Sequence, residues 1–198
     1  VCSNRCQFCW RSIDINSDVS MKDGIDDPEK IIDGTIKEQT ALLAGFGGSS
    51  DLDIEKFIQS KNIKHFAISA TGEPTMYPRL GELIQKLHER GITSFLVTNG
   101  QFPDAIEKIE RNNQLPTQIY VSLDAPTKKL YETIDKPLIK YYWERFSKTL
   151  KIIKRIKNKT RTVLRITAVK NLNMCNEKEY ADLIKLADPK FLEVKGYS

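Results

Sequence analysis

The sequence has 198 residues, 40% of them hydrophobic and 29% charged, with 4 Cys, 8 Pro, 10 Gly and a formal net charge of +5. This composition is typical of globular proteins and excludes disordered, collagen-like and disulfide-scaffold chains. The longest apolar runs, such as 66–70, are strand-sized and far below the roughly 20 residues that a membrane-spanning helix needs. We therefore expect no membrane association and one domain.

Helix and strand patterns alternate along the chain. The predicted helices are 28–45, 79–90, 103–111, 141–157 and 177–186, and the predicted strands are 63–70, 93–98, 118–123, 163–169 and 191–194. The Gly-rich stretch 45–53 is expected to be a flexible loop. This alternation predicts an α/β fold with parallel strands and helical crossovers, either doubly wound or closed into a full or partial barrel.

The first residues contain neither an initiator Met nor the pattern of a secretory signal. We expect the sequence to be an excerpt of a longer protein, with residues 1–198 forming a single core domain. Three of the four cysteines fall within eight residues at the start, which favours metal or cluster ligation over disulfides. A reducing, cytoplasmic environment is the matching expectation.

Small, polar or Gly-rich residues follow every predicted strand. These segments are 70–74, 98–100, 122–125, 167–171 and 194–197. In both candidate architectures the functional residues collect at the carboxyl ends of the strands, so these segments predict one shared site.

Charge is distributed unevenly. Residues 1–135 hold 15 Lys and Arg against 20 Asp and Glu, whereas residues 136–165 hold 11 against 1, a balance of +10. Such a segment favours a polyanion such as RNA, although a solvated helix face is the alternative. The candidate RNA-binding residues, opposite an apolar helical stripe, are Lys148, Lys151, Lys154, Arg155 and Lys157.

The cysteines Cys2, Cys6 and Cys9 have the spacing C-x3-C-x2-C. Three thiolates can hold one corner of an iron–sulfur cube and leave its fourth iron without a protein ligand. The alternative is a closed zinc site with Cys175 or a histidine as the fourth ligand. We expect His65 and His88 to have structural roles.

The tripeptide Gly72-Glu73-Pro74 directly follows a predicted buried strand. Together with the cysteine triplet, and with Phe8 before its last cysteine, this sequence resembles the radical S-adenosylmethionine (radical SAM) superfamily. The segments CSNRCQFCWR (2–11), SATGEPTMYP (69–78) and EVKGY (193–197), with Thr98-Asn99-Gly100 and Ser122-Leu123-Asp124-Ala125, are most similar to its tRNA wybutosine-biosynthesis branch.

The resemblance implies a partial (β/α)6-type TIM barrel with its first strand truncated. It also implies that Cys2, Cys6 and Cys9 ligate a 4Fe-4S cluster whose free iron binds the amino and carboxylate groups of S-adenosylmethionine. Phe8 would meet the adenine, and the Gly72 to Pro74 edge would meet the methionine amine. The full set of implied cofactor-binding residues is Phe8, Thr71, Gly72, Glu73, Pro74, Asn99, Ser122, Asp124, Arg165 and Thr167.

The implied reaction uses a 5′-deoxyadenosyl radical to join N1-methylguanosine of tRNA(Phe) with two carbons of pyruvate, which gives 4-demethylwyosine. The branch has a second 4Fe-4S cluster and a Schiff-base lysine upstream of the cysteine motif. Lys195 is a candidate catalytic residue that contacts pyruvate or RNA. A flavodoxin or ferredoxin as electron donor and a monomeric state complete these expectations.

Two alternatives remain open from the sequence. One is another radical SAM enzyme, such as a glycyl-radical activase or a peptide-modifying enzyme. The other is a non-catalytic, zinc-stabilised RNA-binding module.

Overall fold

The computed structural model describes residues 1–21 and 24–197. Its helices are α1 (Ile13–Asn16), α2 (Pro28–Ala44), α3 (Ile54–Ser60), α4 (Leu80–Glu89), α5 (Pro103–Arg111), α6 (Lys128–Asp135), α7 (Tyr142–Ile156) and α8 (Glu177–Ala187). Its strands are β1 (His65–Ile68), β2 (Thr93–Thr98), β3 (Gln118–Ser122), β4 (Arg161–Ala168) and β5 (Phe191–Gly196). No helix within the described residues is long and apolar enough to cross a membrane.

The five strands form one parallel sheet in the order β1-β2-β3-β4-β5. A doubly wound sheet would reverse its strand order at a switch point, and this sheet does not. The sequential order is that of a partial (β/α) barrel, so the predicted α/β class is confirmed and the choice between the two architectures is settled.

Alternate residues of the strands face opposite sides of the sheet. Leu96, Ile119 and Leu164 are fully buried, and they belong to one continuous core with apolar residues of the helices. Helix α7 packs against both α5 and α8, which covers the outer face of the sheet. The inner face is more polar, with Arg165 of β4 paired in register with Glu193 of β5.

Several predicted boundaries were wrong by a few residues. The strand predicted over 63–70 is only His65–Ile68, because the backbone turns at Ala70, where φ is +78°. The last strand extends further than predicted, to Gly196. The predicted loop 45–53 begins with a 3-10 helix at Gly45–Gly48.

Three helices were not predicted from the sequence, namely α1, α3 and α6. Two of these helices begin after a residue type that is favoured at the N-cap and could have been recognised in the sequence. The Asp53 side chain accepts from the backbone N–H of Lys56, and the Thr127 hydroxyl accepts from that of Leu130. Helix α6 matters most for function, because its carboxyl end supports the cysteine loop.

Candidate functional site

The cysteine loop, residues 2–9, is fixed to the end of α6 by backbone hydrogen bonds. The N–H of Arg5 donates to the carbonyl of Asp135 at 2.9 Å, and the N–H of Gln7 donates to the carbonyl of Ile134 at 2.8 Å. The carbonyls at a helix end have no partner within the helix, so they are free to accept these bonds. The loop is therefore held in place by the fold itself.

A buried tyrosine supports the loop from below. The side-chain amide of Asn4 donates to the Tyr131 hydroxyl at 3.2 Å, and that of Gln101 donates to it at 2.5 Å. All three side chains are almost completely buried. Tyr131 thus links the cysteine loop, α6 and the loop after β2.

A cavity of about 410 Å³ opens at the carboxyl ends of the strands, above the cysteine loop. This volume is in the range of small-molecule and cofactor sites. Its walls include nine of the 14 residues predicted to be catalytic, cofactor-binding or metal-ligating, none of the five predicted RNA-binding residues, and four residues that were not predicted. The lining residues are Cys6, Phe8, Cys9, Trp10, Asn99, Ser122, Asp124, Asp135, Arg165, Thr167, Lys195, Gly196 and Tyr197.

The cysteine thiols lie at or beside this cavity. The Cys6 thiol donates to Oδ1 of Asp135 at 3.4 Å, and Sγ of Cys2 lies 3.8 Å from Nδ2 of Asn99. Burial raises the pKa of Cys2, and it raises the pKa of Cys6 well above the ordinary thiol value. Because a bound metal needs the thiolate, ligation must displace these protons.

The described residues contain no group of three or more His, Cys, Asp or Glu side chains placed to hold a single metal ion. Cys175 is exposed and is absent from the cavity wall. The zinc alternative needs four ligands around one ion. A multi-iron cluster spreads its cysteine ligands over different irons, so it does not need them all around one ion, and the adjoining cavity gives it room.

Glu73 organises the loop after β1. One carboxylate oxygen accepts from the backbone N–H of Thr75 at 3.0 Å, from the Thr75 hydroxyl and from the Thr98 hydroxyl at 2.6 Å. The other accepts from the backbone N–H of Asn99 at 2.7 Å. Burial nevertheless raises the pKa of Glu73. With its oxygens occupied by protein donors, this side chain ties β1 to β2, and it does not line the cavity.

The rest of the Gly72 loop lies beside the cavity. Thr71, Gly72 and Pro74 are also absent from the cavity wall. Gly72 has φ of +85°, and a Cβ at this position would lie 2.4 Å from the carbonyl oxygen of Val1. The glycine is required both by its backbone conformation and by this close approach.

Two buried aspartates face the cavity from the other side. Asp124 accepts from the backbone N–H of Thr167 at 3.2 Å, and burial raises its pKa to about 6. Asp135 is 2% exposed, and burial, followed by the charge of Asp124, raises its pKa well above the usual value. Its Oδ2 has no hydrogen-bond partner in the described structure. A buried polar oxygen without a partner beside a cavity indicates a hydrogen bond that a bound ligand or water would complete.

Cations lie on the inner face of the last two strands. Nε of Arg165 is 3.4 Å from a carboxylate oxygen of Glu193, which is an ion pair without hydrogen-bond geometry. Lys195 is exposed at the cavity wall and is paired in register with Thr167. Both histidines lie elsewhere: His65 contacts Thr93, and His88 contacts Ser94 at 2.8 Å.

Four lining residues were not among the predicted site residues: Trp10, Asp135, Gly196 and Tyr197. Asp135 could have been found only by recognising α6, whose end is marked by the following Lys136-Pro137. Trp10, Gly196 and Tyr197 stand within the segments 2–11 and 193–197, which carry the resemblance to the wybutosine branch.

The basic helix α7 is less cationic than its sequence suggests. Lys148 pairs with Asp104 at 2.7 Å and with Glu107 at 3.1 Å, and Arg155 pairs with Glu110 at 2.5 Å. Acidic residues of the neighbouring α5 therefore offset part of the +10 balance that is counted along the sequence.

The position of α7 also matters. Lys157 pairs with Asp188, just before β5 begins, so the end of α7 lies at the amino edge of the sheet. The cavity is at the opposite edge. Lys151 and Lys154 have no ion-pair partner within residues 1–21 and 24–197. Within the described residues, these two are the members of the predicted RNA-binding set whose charge is not offset by an acidic partner.

A parallel sheet with sequential strand order and a three-cysteine loop above its carboxyl edge is the arrangement expected of a radical SAM enzyme. The radical SAM superfamily model matches residues 1–184, and the chain belongs to this superfamily. Membership implies S-adenosylmethionine and a 4Fe-4S cluster as cofactors.

Individual proteins that are similar to this chain point to one branch of the superfamily. The chain is 41% identical over 196 residues to the S-adenosyl-L-methionine-dependent tRNA 4-demethylwyosine synthase of Pyrococcus abyssi, covering 99% of this chain and 57% of that enzyme. It is 40% identical to the enzyme of the same name from Saccharomyces cerevisiae, covering 98% of this chain and 24% of that enzyme. The solved structure of TYW1 with a lysine–pyruvate adduct bound is similar at a TM-score of 0.85 and 35% identity, covering 100% of this chain and 61% of that one.

Proposed function

We propose that this chain is the radical SAM core of a tRNA 4-demethylwyosine synthase, which joins N1-methylguanosine of tRNA(Phe) with a two-carbon unit of pyruvate. The observation that carries the proposal is the 41% identity to the Pyrococcus enzyme along nearly the whole chain. Because the chain spans 57% of that relative, the complete reaction needs residues beyond this sequence.

In this proposal Cys2, Cys6 and Cys9 hold the 4Fe-4S cluster, with one iron left free of protein ligands. The partly buried thiols of Cys2 and Cys6, the exposed Cys9 at the cavity wall and the adjoining cavity support this arrangement. When bound, the cluster and S-adenosylmethionine supply a 5′-deoxyadenosyl radical that abstracts hydrogen from the substrate. The chain's task is to align the reactants and exclude water.

The other residues predicted to bind the cofactor form two groups, those that line the cavity and those in the loop beside it. Phe8, Asn99, Ser122, Asp124, Arg165 and Thr167 line the cavity and are proposed to contact S-adenosylmethionine. Thr71, Gly72 and Pro74 would offer backbone groups from the adjoining loop. Glu73 would act by positioning that loop, since its oxygens already accept protein hydrogen bonds.

Substrate contacts are proposed at two places. The exposed Lys195 would bind pyruvate or RNA at the cavity wall. Lys148, Lys151, Lys154, Arg155 and Lys157 would bind tRNA phosphates, with Lys151 and Lys154 contributing most because the other three are ion-paired with acidic residues. The tRNA would have to extend past the cavity to reach them.

The other parts of the proposal concern the complete protein. We propose a second 4Fe-4S cluster and a Schiff-base lysine outside this sequence, a flavodoxin or ferredoxin as electron donor, a monomeric state and a cytoplasmic location. The lysine–pyruvate adduct in the TYW1 structure supports the Schiff base.

The experiment combines the complete protein, anaerobically reconstituted, with tRNA(Phe) carrying N1-methylguanosine, carbon-13-labelled pyruvate, S-adenosylmethionine and a reductant. Mass spectrometry of the nucleosides should detect 4-demethylwyosine with two labelled carbons. Reductive cleavage of S-adenosylmethionine without any modified nucleoside would favour another radical SAM enzyme. Bound zinc without iron would favour the non-catalytic RNA-binding module.

A further inference from the structure

The segment Trp10-Arg11 has no role in the function proposed so far. Trp10 directly follows the last cysteine of the loop and lines the cavity, yet its side chain is 72% exposed. Large aromatic side chains dominate protein cores and interfaces because of the area they bury. An indole left in solvent at the mouth of a cavity is therefore a candidate contact surface for a ligand.

Arg11 stacks on this indole. Its guanidinium carbon lies 3.7 Å from the centre of the Trp10 ring, within the range of a cation–π interaction. The guanidinium covers one face of the indole, and the large exposed fraction of Trp10 leaves the other face accessible. A ring already stacked on one face has less conformational freedom left to lose when a second group binds the other face, which lowers the entropy cost of binding.

Arg11 also has unused hydrogen-bonding capacity. Its Nε is buried and has no hydrogen-bond partner in the described structure. A buried donor without an acceptor destabilises the protein, and a ligand that accepts this hydrogen bond would remove that cost. The exposed Tyr197, whose ring centre is 6.4 Å from that of Phe8, lies on another part of the same cavity wall.

We propose that the open face of Trp10 stacks on a nucleobase that has left the RNA helix, and that this contact delivers the target guanine to the cavity. Enzymes that act on a base expose it from its stack and bind it between aromatic or apolar side chains. Single-stranded bases are bound in the same way on aromatic rings and guanidinium planes. This inference rests on the proposed function, because it assumes an RNA substrate.

The test is a thermodynamic cycle between protein and RNA, made with the complete, cluster-loaded protein. One RNA is an anticodon stem-loop with N1-methylguanosine at the target position, and the other has an abasic residue there. Removing the base should weaken binding to the wild type about 5- to 150-fold, the range of one base–aromatic stack. In Trp10→Ala the two RNAs should bind equally.

Further variants distinguish aromatic stacking by Trp10 from the effect of its apolar volume and from the effect of any exposed aromatic side chain. Trp10→Phe should retain most of the preference for the base, whereas Trp10→Leu, which keeps apolar volume without a π-face, should lose it. Phe46→Ala removes an aromatic side chain that is 61% exposed and outside the cavity wall, and should behave as the wild type. Cluster content is checked by electron paramagnetic resonance, and Trp10→Leu decides the test if Trp10→Ala loses the cluster.

The failure of each proposal has its own signature. A wild type that binds and modifies RNA, with base removal costing the same in Trp10→Leu as in the wild type, would overturn the stacking role alone. A wild type that binds neither RNA at moderate salt would contradict the proposed function.

Discussion

Two regions of the molecule carry many charged and polar residues but differ in burial. The first, called the cavity edge, is the carboxyl edge of the sheet, including the cavity wall and the adjoining loop of Glu73. The second, called the α5–α7 surface, is formed by the outward faces of these two helices. At the cavity edge Glu73, Asp124 and Asp135 are each at most 5% exposed and contact named donors of the fold. On the α5–α7 surface the ion pair between Lys148 and Asp104 has side chains that are 46% and 73% exposed. Exposed pairs contribute little to stability, whereas an unpaired buried polar group costs a great deal.

This difference indicates where a polar or charged side chain is needed for the fold. A polar residue at the cavity edge is held by several elements at once, so its loss should affect folding and binding together. A charge on the α5–α7 surface can be exchanged with little effect on the fold. Four substitutions test this contrast, in decreasing order of expected effect.

Glu73→Ala should be the most damaging. It leaves the Thr98 hydroxyl and the backbone N–H groups of Thr75 and Asn99 without their acceptor inside the protein. We expect the free energy of unfolding to fall by about 3 kcal/mol, together with the affinity for S-adenosylmethionine. Urea denaturation measures the first effect. Glu89→Ala, which removes an exposed carboxylate from α4, is the matched control and should be near neutral.

Gly100→Ala should cost about 2 kcal/mol, from a left-handed backbone and from overpacking. Gly100 has φ of +75°, and a Cβ would lie 3.1 Å from the Phe146 ring and 3.2 Å from Cγ1 of Val121. Gly34→Ala in α2 is the control, because nothing lies within 4 Å of its added Cβ. It should stabilise the protein by about 0.5 kcal/mol, and equal destabilisation by both changes would contradict this packing.

Tyr131→Phe should cost about 1 kcal/mol, because it removes the acceptor shared by the Asn4 and Gln101 amides. Since Asn4 belongs to the cysteine loop, the yield of reconstituted cluster should also fall, as measured by iron content. Tyr141→Phe, at a side chain that is 74% exposed, provides the comparison. Full cluster yield in Tyr131→Phe would mean that the backbone bonds to α6 are sufficient.

Lys148→Gln should have the smallest effect, with the midpoint of thermal unfolding unchanged within error. Its pair with Asp104 is exposed, its pair with Glu107 is partly exposed, and both are screened by salt. A large loss of stability would show that the α5–α7 surface resembles the cavity edge more closely than its exposure indicates.

Local patterns predicted the sheet well. Five strands and the polar segments after them followed from βα alternation, because strand ends of a parallel sheet must meet at one edge. The role of Glu73 as an acceptor for β2 could not be predicted, since its partner Thr98 lies 25 positions away and only the fold brings them together. The offset of Lys148 by α5 was missed for the same reason, because a count along the chain ignores neighbours in space.

The central claim is that Cys2, Cys6 and Cys9 hold a 4Fe-4S cluster to which S-adenosylmethionine binds directly. Electron paramagnetic resonance of the reconstituted, dithionite-reduced protein, with and without S-adenosylmethionine, tests this claim most directly. We predict a 4Fe-4S signal with a component that shifts when S-adenosylmethionine is added, and Cys6→Ala should lose this shifting component while any signal of the proposed second cluster remains. A cluster signal that never shifts, or protein that binds zinc and no iron, would contradict the account.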